Sequence, residues 1–292
     1  MRLARSVAFA TLAWALATAA LAATAVAVDD DAGETVRLAA PAQRIVTLAP
    51  NATELVFAAG AGARIVGTVD TSNFPPAAKA LPRVGDVHAI DLERIVALAP
   101  DLIVTWPYTT PAQVALLRAR GIPVYTVDPK SVDGIATDVE RLGTLAGNAA
   151  DATAAAAAFR GRVASLRDRF AGRRRLRVFY EIWDQPLYTI GGRHLVSEAI
   201  ALCGGENVFA ALSIPAPEVS VEAVLAARPD VIVAGADGAA RPPWLDRWRR
   251  WPELPATRRD HLYVVDANLL HRDGPRFADG VAALCEVLDA AR

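Results

Sequence analysis

Cysteine is almost absent from this chain: Cys203 and Cys285 are the only two among 292 residues. Neither has a CxxC partner or a neighbouring cluster of histidines, so a thiolate metal site finds no support. Histidine is scarce as well. His88, His194, His261 and His271 are scattered, without the tight histidine and carboxylate spacing of a zinc site. The sequence also lacks a Ser or Cys nucleophile motif, a metal-hydrolase spacing and a convincing acid/base pair, which argues against an enzyme. GAGAR and IGGR are followed by no P-loop lysine and read as turns. Charge of neither sign dominates. With 31 basic and 32 acidic residues there is no global field for nucleic acid or an anionic membrane surface. The densest basic run, RRRLR at 173–177, reads as a solvated loop.

What is present begins at the N-terminus. MRLARSVAFATLAWALATAALAATAVAVDDD places Arg2 and Arg5 before an uncharged apolar run, then small residues and three aspartates. That order is a secretory signal peptide, assigned to residues 1–27, with A-x-A exits at Ala20–Ala22, Ala23–Ala25 and Ala25–Ala27. The run approaches membrane-spanning length, but its alanine richness and small-residue exit favour cleavage. No cysteine follows it, which excludes a lipid anchor. The mature chain is expected to be soluble and exported. In an oxidising compartment the two cysteines either pair or stay buried as thiols, and an even count favours pairing. A bridge would close a loop of roughly 80 residues, worth about 4–5 kcal/mol.

One phrase is written twice. DLERIVALAPDLIV, Asp91–Val104, returns without a gap as SVEAVLAARPDVIV, Ser220–Val233. Asp91 and Ser220 are N-cap residues, and Glu93 and Glu222 sit in the first turn, where the helix dipole favours a carboxylate. A short amphipathic helix follows, stopped by Pro100 or Pro229. The β-branched runs DLIV and DVIV then suit buried parallel strands. Flanking segments repeat too: RIVTLAP and RVFYEIW read as strands, while NATELVFAAGAG and LVSEAIALCGG read as helices ending in glycine. Alternating strands and helices predict a parallel sheet with crossover helices, and two such series predict two similar Rossmann-like α/β lobes. Between them, residues 131–172 hold no strand candidate and favour helix from Asp151 onward. The expected domains are residues 28–145, a rigid connecting helix within 146–175, and 176–292. The cleft between the lobes, beyond the carboxyl ends of the strands, is the expected ligand site.

From about Arg44 onward the chain resembles the periplasmic substrate-binding proteins of ABC importers for metal chelates, and within them the cobalamin-binding proteins. RIVTLAPNATELVFAAG, FPPAAKALPRVGDVHAIDLERIVALAPDLIVTW, CGGENVF, VSVEAVL and the GPR at 274–276 carry the likeness. The resemblance implies a periplasmic monomer with the helix-linked class III fold and a transported corrinoid, with no resident cofactor or metal. It also implies a disulfide between Cys203 and Cys285, and docking of Glu93 and Glu222 on arginines of an ABC permease dimer. Haem or a ferric siderophore is the alternative ligand within the class.

The loops after the strands supply the candidate ligand residues. These are Pro50, Asn51, Phe74, Asp86, Val87, His88, Trp106 and Tyr108 from the first lobe. The second lobe contributes Ile182, Trp183, Ala216, Asn268, His271 and Arg272. An aromatic-rich cleft with few charges suits a large, flat, partly apolar molecule. By the resemblance, Phe74 replaces a cleft tyrosine, while Trp106 and Arg272 match a cleft tryptophan and arginine. Val87 and Ala216 stand at aromatic positions of the family, and Asn268 stands for an aspartate. Trp183 is positioned to supply the lost aromatic surface. His194 and His261 are expected to be structural, and Trp244, Trp248 and Trp251 to pack in a core or between lobes.

Overall fold

The computed structural model describes residues 25–292, except His88 and the side chain of Ala239. The expected signal peptide therefore lies almost wholly outside the described residues. Two short strands open the described chain, β1 (Val26–Asp29) and β2 (Thr35–Leu38), paired as an antiparallel hairpin. Asp30 closes its turn by accepting from the Ala32 and Glu34 amides, and ties it to the first lobe by accepting from the Thr126 amide.

The first lobe contains β3 (Ile45–Thr47), α1 (Pro50–Ala58), β4 (Ile65–Thr68), α2 (Leu92–Ala97), β5 (Leu102–Thr105), α3 (Pro111–Ala119), β6 (Val124–Thr126) and α4 (Val132–Leu145). After α5 (Ala149–Phe170) come β7 (Leu176–Asp184), β8 (Leu187–Thr189), α6 (Leu195–Leu202), β9 (Gly205–Asn207), α7 (Val221–Ala227) and β10 (Val231–Ala236). The chain finishes with α8 (Pro255–Arg258), β11 (Leu262–Asp266), α9 (Ala267–Leu270) and α10 (Phe277–Ala290). The first sheet has the order β4-β3-β5-β6, all parallel. The second runs β9-β7-β10-β11, again all parallel, with β8 added antiparallel to the end of β7. Numbered within each lobe and leaving β8 aside, both sheets read 2-1-3-4. The lobes share one plan.

The repeated phrase is a structural joint in both. Asp91 accepts from the Arg94 amide at 2.9 Å and Ser220 from the Ala223 amide at 3.2 Å, so each caps its helix. The helices end in left-handed residues at matching places, Ala99 (φ 44°) and Arg228 (φ 46°), each followed by proline. Asp101 then accepts from the Gln43 and Arg44 amides, and Asp230 from the Arg177 amide. In return the Arg44 guanidinium donates to the Leu98 and Ala99 carbonyls, and that of Arg177 to the Ala227 carbonyl. Each joint thus locks the start of a lobe's first strand to the end of its repeated helix, satisfying carbonyls that the helix leaves unpaired.

Strand alternation divides the cores. Ile45, Leu102, Val178 and Val233 face a large central core that the two lobes share through α5 and its neighbours. Val46 and Ile103 face an outer layer with Ile95 of α2, while Phe179 and Ile232 face another with Val224 of α7. At 22 residues α5 spans about 33 Å. Phe159, Val163 and Phe170 bury its inner face. Arg160 pairs with Asp133 and Glu140 of α4, and Arg162 and Arg169 pair with Asp279 and Glu286 of α10. The connector therefore grips an element of each lobe. Trp244 and Trp248 lie in a 3₁₀ helix, Pro243–Arg250, and Trp251 is the residue that ends it. Trp248 belongs to the outer core of the second lobe, fully buried, and its indole N–H donates to Glu181 at 2.7 Å. Desolvation raises the Glu181 carboxyl to about 7, against the Trp248 hydrogen bond and the Arg247 charge.

Cys203, just after α6, is bonded to Cys285 on α10 with a Cα separation of 4.7 Å. The bridge closes a loop across 82 residues. Replacing both cysteines by serine is expected to lower unfolding stability by about 4 kcal/mol in urea titrations under oxidising conditions, while the same comparison in reductant shows little difference.

Candidate functional site

In each sheet the strand order reverses between the first and third strands, and the cleft opens at that point. Pro50 and Asn51 follow β3, Trp106 follows β5, Ile182 and Trp183 end β7, and Asp237 follows β10. A central cavity of about 290 Å³ is lined by Pro50, Asn51, Thr71, Val87 and Trp106 of one lobe and Asp237, Ala267, Asn268, His271 and Arg272 of the other. Two further chambers share walls with it. One, of about 500 Å³, belongs to the second lobe and includes Ile182, Trp183 and Trp244. The other, of about 450 Å³, lies between lobes, with Trp106, Tyr108 and Lys130 on one side and Arg193, His194 and Asp273 on the other. His271 lines all three.

The first-lobe wall is held by hydroxyl groups. Thr47, Thr53, Thr68 and Ser72 form a buried cluster with contacts of 2.8–2.9 Å, joining two strand ends, α1 and the loop that carries Thr71. The Thr105 hydroxyl donates to Thr109 at 2.5 Å and shapes the turn that presents Trp106 and Tyr108, whose rings meet edge-on at 4.9 Å. Two buried polar atoms in this wall have no protein partner: Asn51 Oδ1, an acceptor, and Trp106 Nε1, a donor. Leaving such groups unpaired is costly, and both belong to residues that line the central cavity. A ligand carrying both an N–H and a carbonyl could satisfy them.

The second-lobe wall centres on His271. Its Nε2 lies 2.9 Å from the Tyr180 hydroxyl. Gly235 makes the seat: a Cβ there would fall 2.6 Å from both His271 Cε1 and Tyr180 Oη. Desolvation lowers His271 to about 4, despite the nearby charges of Asp237 and Asp266. His194 is lowered to about 4 by desolvation and then by the His271 charge, and its Nδ1 accepts from the Val196 amide as the cap of α6. Desolvation, with Asp128 adding to it, raises Asp273 to about 7 against Lys130. Asn268 donates to Asp266 at 3.1 Å and to Asp237 at 3.4 Å, so a carboxylate faces the cleft beside the asparagine.

Across the cleft, Glu54 of α1 is almost fully buried and receives Arg276 through two bonds of 2.9 and 2.6 Å. Arg272 donates to Asn73 at 2.7 Å and to Glu54 at 3.4 Å. Phe74 stacks beneath the Arg276 guanidinium at 4.1 Å. Phe74 thus belongs to the interlobe contact, outside the three chambers. Asp86 accepts from the Ala89 amide in its own turn, and Ala216 is exposed beside Pro215, which does line the interlobe chamber. His88 lies outside the described residues. His261 contacts the Asp230 carbonyl at 3.2 Å, away from the cleft. Sequence reasoning missed Thr71 and Asp237, although Asp237 immediately follows a strand, the signal that found Trp106. Trp244, expected to pack in a core, does pack against the outer core of the second lobe and also lines the second-lobe chamber, a place that no sequence signal announced.

Glu93 and Glu222 are both exposed in the first turns of α2 and α7. The backbone N–H of Glu222 and the Ser220 hydroxyl hold the Glu222 carboxyl below its usual range.

Two parallel-sheet lobes joined by a long helix around a ligand-sized cleft define a bilobal binding protein. Residues 45–269 match the family described as periplasmic binding protein. The chain is 38% identical over 254 residues to the vitamin B12-binding protein of Vibrio cholerae serotype O1, covering 86% of this chain and 91% of that one. The crystal structure of the periplasmic vitamin B12 binding protein BtuF of Vibrio cholerae superposes with a TM-score of 0.77 at 37% identity, covering 86% and 98%. The periplasmic heme-binding protein RhuT from Roseiflexus sp. RS-1, in apo form, gives 0.74 at 28% identity, covering 86% and 99%. The chain belongs to the periplasmic binding protein family. No described helix is long and apolar enough to cross a membrane.

Both cleft imidazoles are expected to stay neutral well into the acid range. A lowered histidine pKa means protons are taken up on unfolding, so the stability tied to each neutral ring is present above about pH 6.5 and is lost as pH falls toward 4. Nitrogen-15 NMR titration of the imidazoles should give midpoints near 4 for His194 and His271. Midpoints near 6.5 would contradict the buried placement.

Proposed function

We propose that this protein captures a corrinoid of the vitamin B12 class in the interlobe cleft and hands it to an ABC importer, binding without turnover. The observation that carries the reading is the 38% identity, across most of both chains, to a vitamin B12-binding protein. The cleft supports it physically. A corrinoid is broad and flat, with amide groups around its edge. It would meet the aromatic surface of Trp106 and Tyr108, and its amides offer both a donor for Asn51 Oδ1 and an acceptor for Trp106 Nε1. Pro50, Val87, Ile182, Trp183, Asn268, His271 and Arg272 complete the proposed contact surface.

Haem is the second reading, favoured by the likeness to RhuT. His271 and Tyr180 carry the ring and phenol chemistry that can ligate haem iron, but they are hydrogen-bonded to each other. Iron would have to break that contact. A corrinoid would not need to.

The leader read within residues 1–27 is proposed to direct export to the periplasm and then to be cleaved at one of its A-x-A exits. Because β1 starts at Val26, cleavage after Ala22 or Ala25 would keep that strand whole, and those exits are preferred. Glu93 and Glu222, on equivalent helices of two lobes built alike, are proposed as a two-point dock for a permease dimer.

Calorimetric titration of the purified mature protein tests the ligand. Saturable one-to-one binding of cyanocobalamin, tighter than that of haem or a ferric chelate, is expected; no saturable heat with any corrinoid would sink the reading. For the dock, Glu93→Arg combined with Glu222→Arg is expected to abolish uptake while changing corrinoid affinity less than about twofold. Undiminished uptake would reduce both glutamates to helix-terminus charges.

A further inference from the structure

The turn of the β1–β2 hairpin sits behind one wall of the cleft. Residues 127–130 link β6 to α4, and Val127, Asp128, Pro129 and Lys130 all line the interlobe chamber. Few backbone groups anchor this link, since Pro129 has no amide to donate. The Val127 amide donates to the Thr105 carbonyl at 2.8 Å, within the first lobe's own sheet. The Asp128 amide donates to the Asp31 carboxylate of the hairpin turn at 2.7 Å. Asp31 gives its own amide to the Thr126 carbonyl at 3.2 Å, and Asp30 accepts from the Thr126 amide. Two successive aspartates of the turn thus hold the end of β6 and the loop that follows it.

Asp31 is seated in a cluster short of positive charge. Arg141 of α4 donates to Asp31 at 2.8 Å and lies 3.9 Å from Asp138 Oδ1. Asp138 is fully buried, accepts from the Tyr125 hydroxyl at 2.6 Å through Oδ1, and has no protein partner at Oδ2. Arg160, which α5 presents to α4, is taken by Asp133 and Glu140, and Lys130 pairs with Asp128. One guanidinium therefore faces two carboxyl groups. Desolvation raises Asp138 to about 8, with the Asp31 charge adding to it, against the Tyr125 hydrogen bond and the Arg141 charge. Burial also pushes the Tyr125 phenol up, so it stays a donor.

Taking the interlobe cleft as the ligand site, on the reading above, we propose that the N-terminal hairpin is part of the binding apparatus: Asp31, seated by Arg141 and Asp138, is a positioning residue that holds the 127–130 loop in the cleft wall. The seat is linked to a proton. While Asp138 is neutral, Arg141 serves Asp31 alone. Once Asp138 ionises, two carboxylates compete for one guanidinium and repel each other, which loosens the hold on the Asp128 amide. The raised carboxyl makes the closed seat the neutral-pH form, lost as pH rises through about 8.

Two measurements on the mature protein test this. In the ligand-free protein the Asp138 carboxyl carbon-13 shift is expected to titrate near about 8, and the Asp128 amide proton shift to move with the same midpoint. Calorimetry with cyanocobalamin is expected to show affinity falling roughly fivefold or more from about pH 7 to about pH 9.5, a range over which circular dichroism verifies the fold. Asp138→Asn, which cannot ionise, is expected to hold that ratio near one. Asp31→Ala is expected to weaken binding at about pH 7 by a similar factor and to flatten the profile. Asp273 of the same chamber, raised by desolvation to about 7, titrates in both wild type and Asp138→Asn and cancels in that comparison. An Asp128 amide indifferent to the Asp138 titration, an Asp138→Asn variant with the wild-type ratio, or an Asp31→Ala variant that binds as wild type would each overturn the hairpin's role and leave the corrinoid reading standing. A protein that binds no corrinoid yet shows the coupled amide titration would overturn the ligand assignment and uphold the hairpin's hold on the loop.

Discussion

The shape of the cleft depends on one ion pair that crosses it. Glu54 is buried, and a buried carboxylate is tolerable only when its charge and lone pairs are matched. Arg276 supplies two hydrogen bonds, and Arg272 extends the contact to Asn73. The Phe74 ring beneath the guanidinium covers it. The acid comes from α1, whose first residues Pro50 and Asn51 form the cleft wall, and the bases come from the segment that carries His271. The contact that joins the lobes thus sets the spacing between the two walls that face a ligand. Helix α5, with its ion pairs to α4 and α10, ties the lobes together through the shared core.

Around that frame the cleft divides its labour by polarity. The central cavity holds an orphaned acceptor and an orphaned donor, the second-lobe chamber sets tryptophan and proline surfaces beside Asp237 and Arg241, and the interlobe chamber holds Asp128, Lys130, Arg193 and Asp273. Asp237 adds a carboxylate next to Asn268, the position where the resemblance led us to expect an aspartate. A carboxylate is therefore present in the wall beside that position, contributed by the residue after β10.

Much of the fold was legible because its signals are local. Asp91 and Ser220 announce caps, Pro100 and Pro229 announce stops, and the β-branched runs announce strands, so the doubled phrase predicted two lobes and the structure shows them. The reciprocal Arg–carbonyl and Asp–amide joints were not legible, since Arg44 and Asp101 meet only once the sheet forms. The β1–β2 hairpin escaped for a related reason: β1 starts within the stretch read as leader. In the site, strand-end reasoning placed Asn51, Trp106 and His271 in the cleft walls. It did not foresee that Phe74 would turn to Arg276, because its partner lies on the other lobe. Nor did it separate Trp244 from Trp248, whose difference in surroundings arises from a 3₁₀ turn in place of an α-helical one.

The most direct test of the account is a crystal structure of the mature protein with cyanocobalamin. The account predicts the corrin ring in the central cavity, an edge amide within hydrogen-bond distance of Asn51 Oδ1 or Trp106 Nε1, and Glu54 still paired with Arg276. A corrinoid bound outside the cleft, or a cleft bound to it with both of those atoms still unpartnered, would contradict the account.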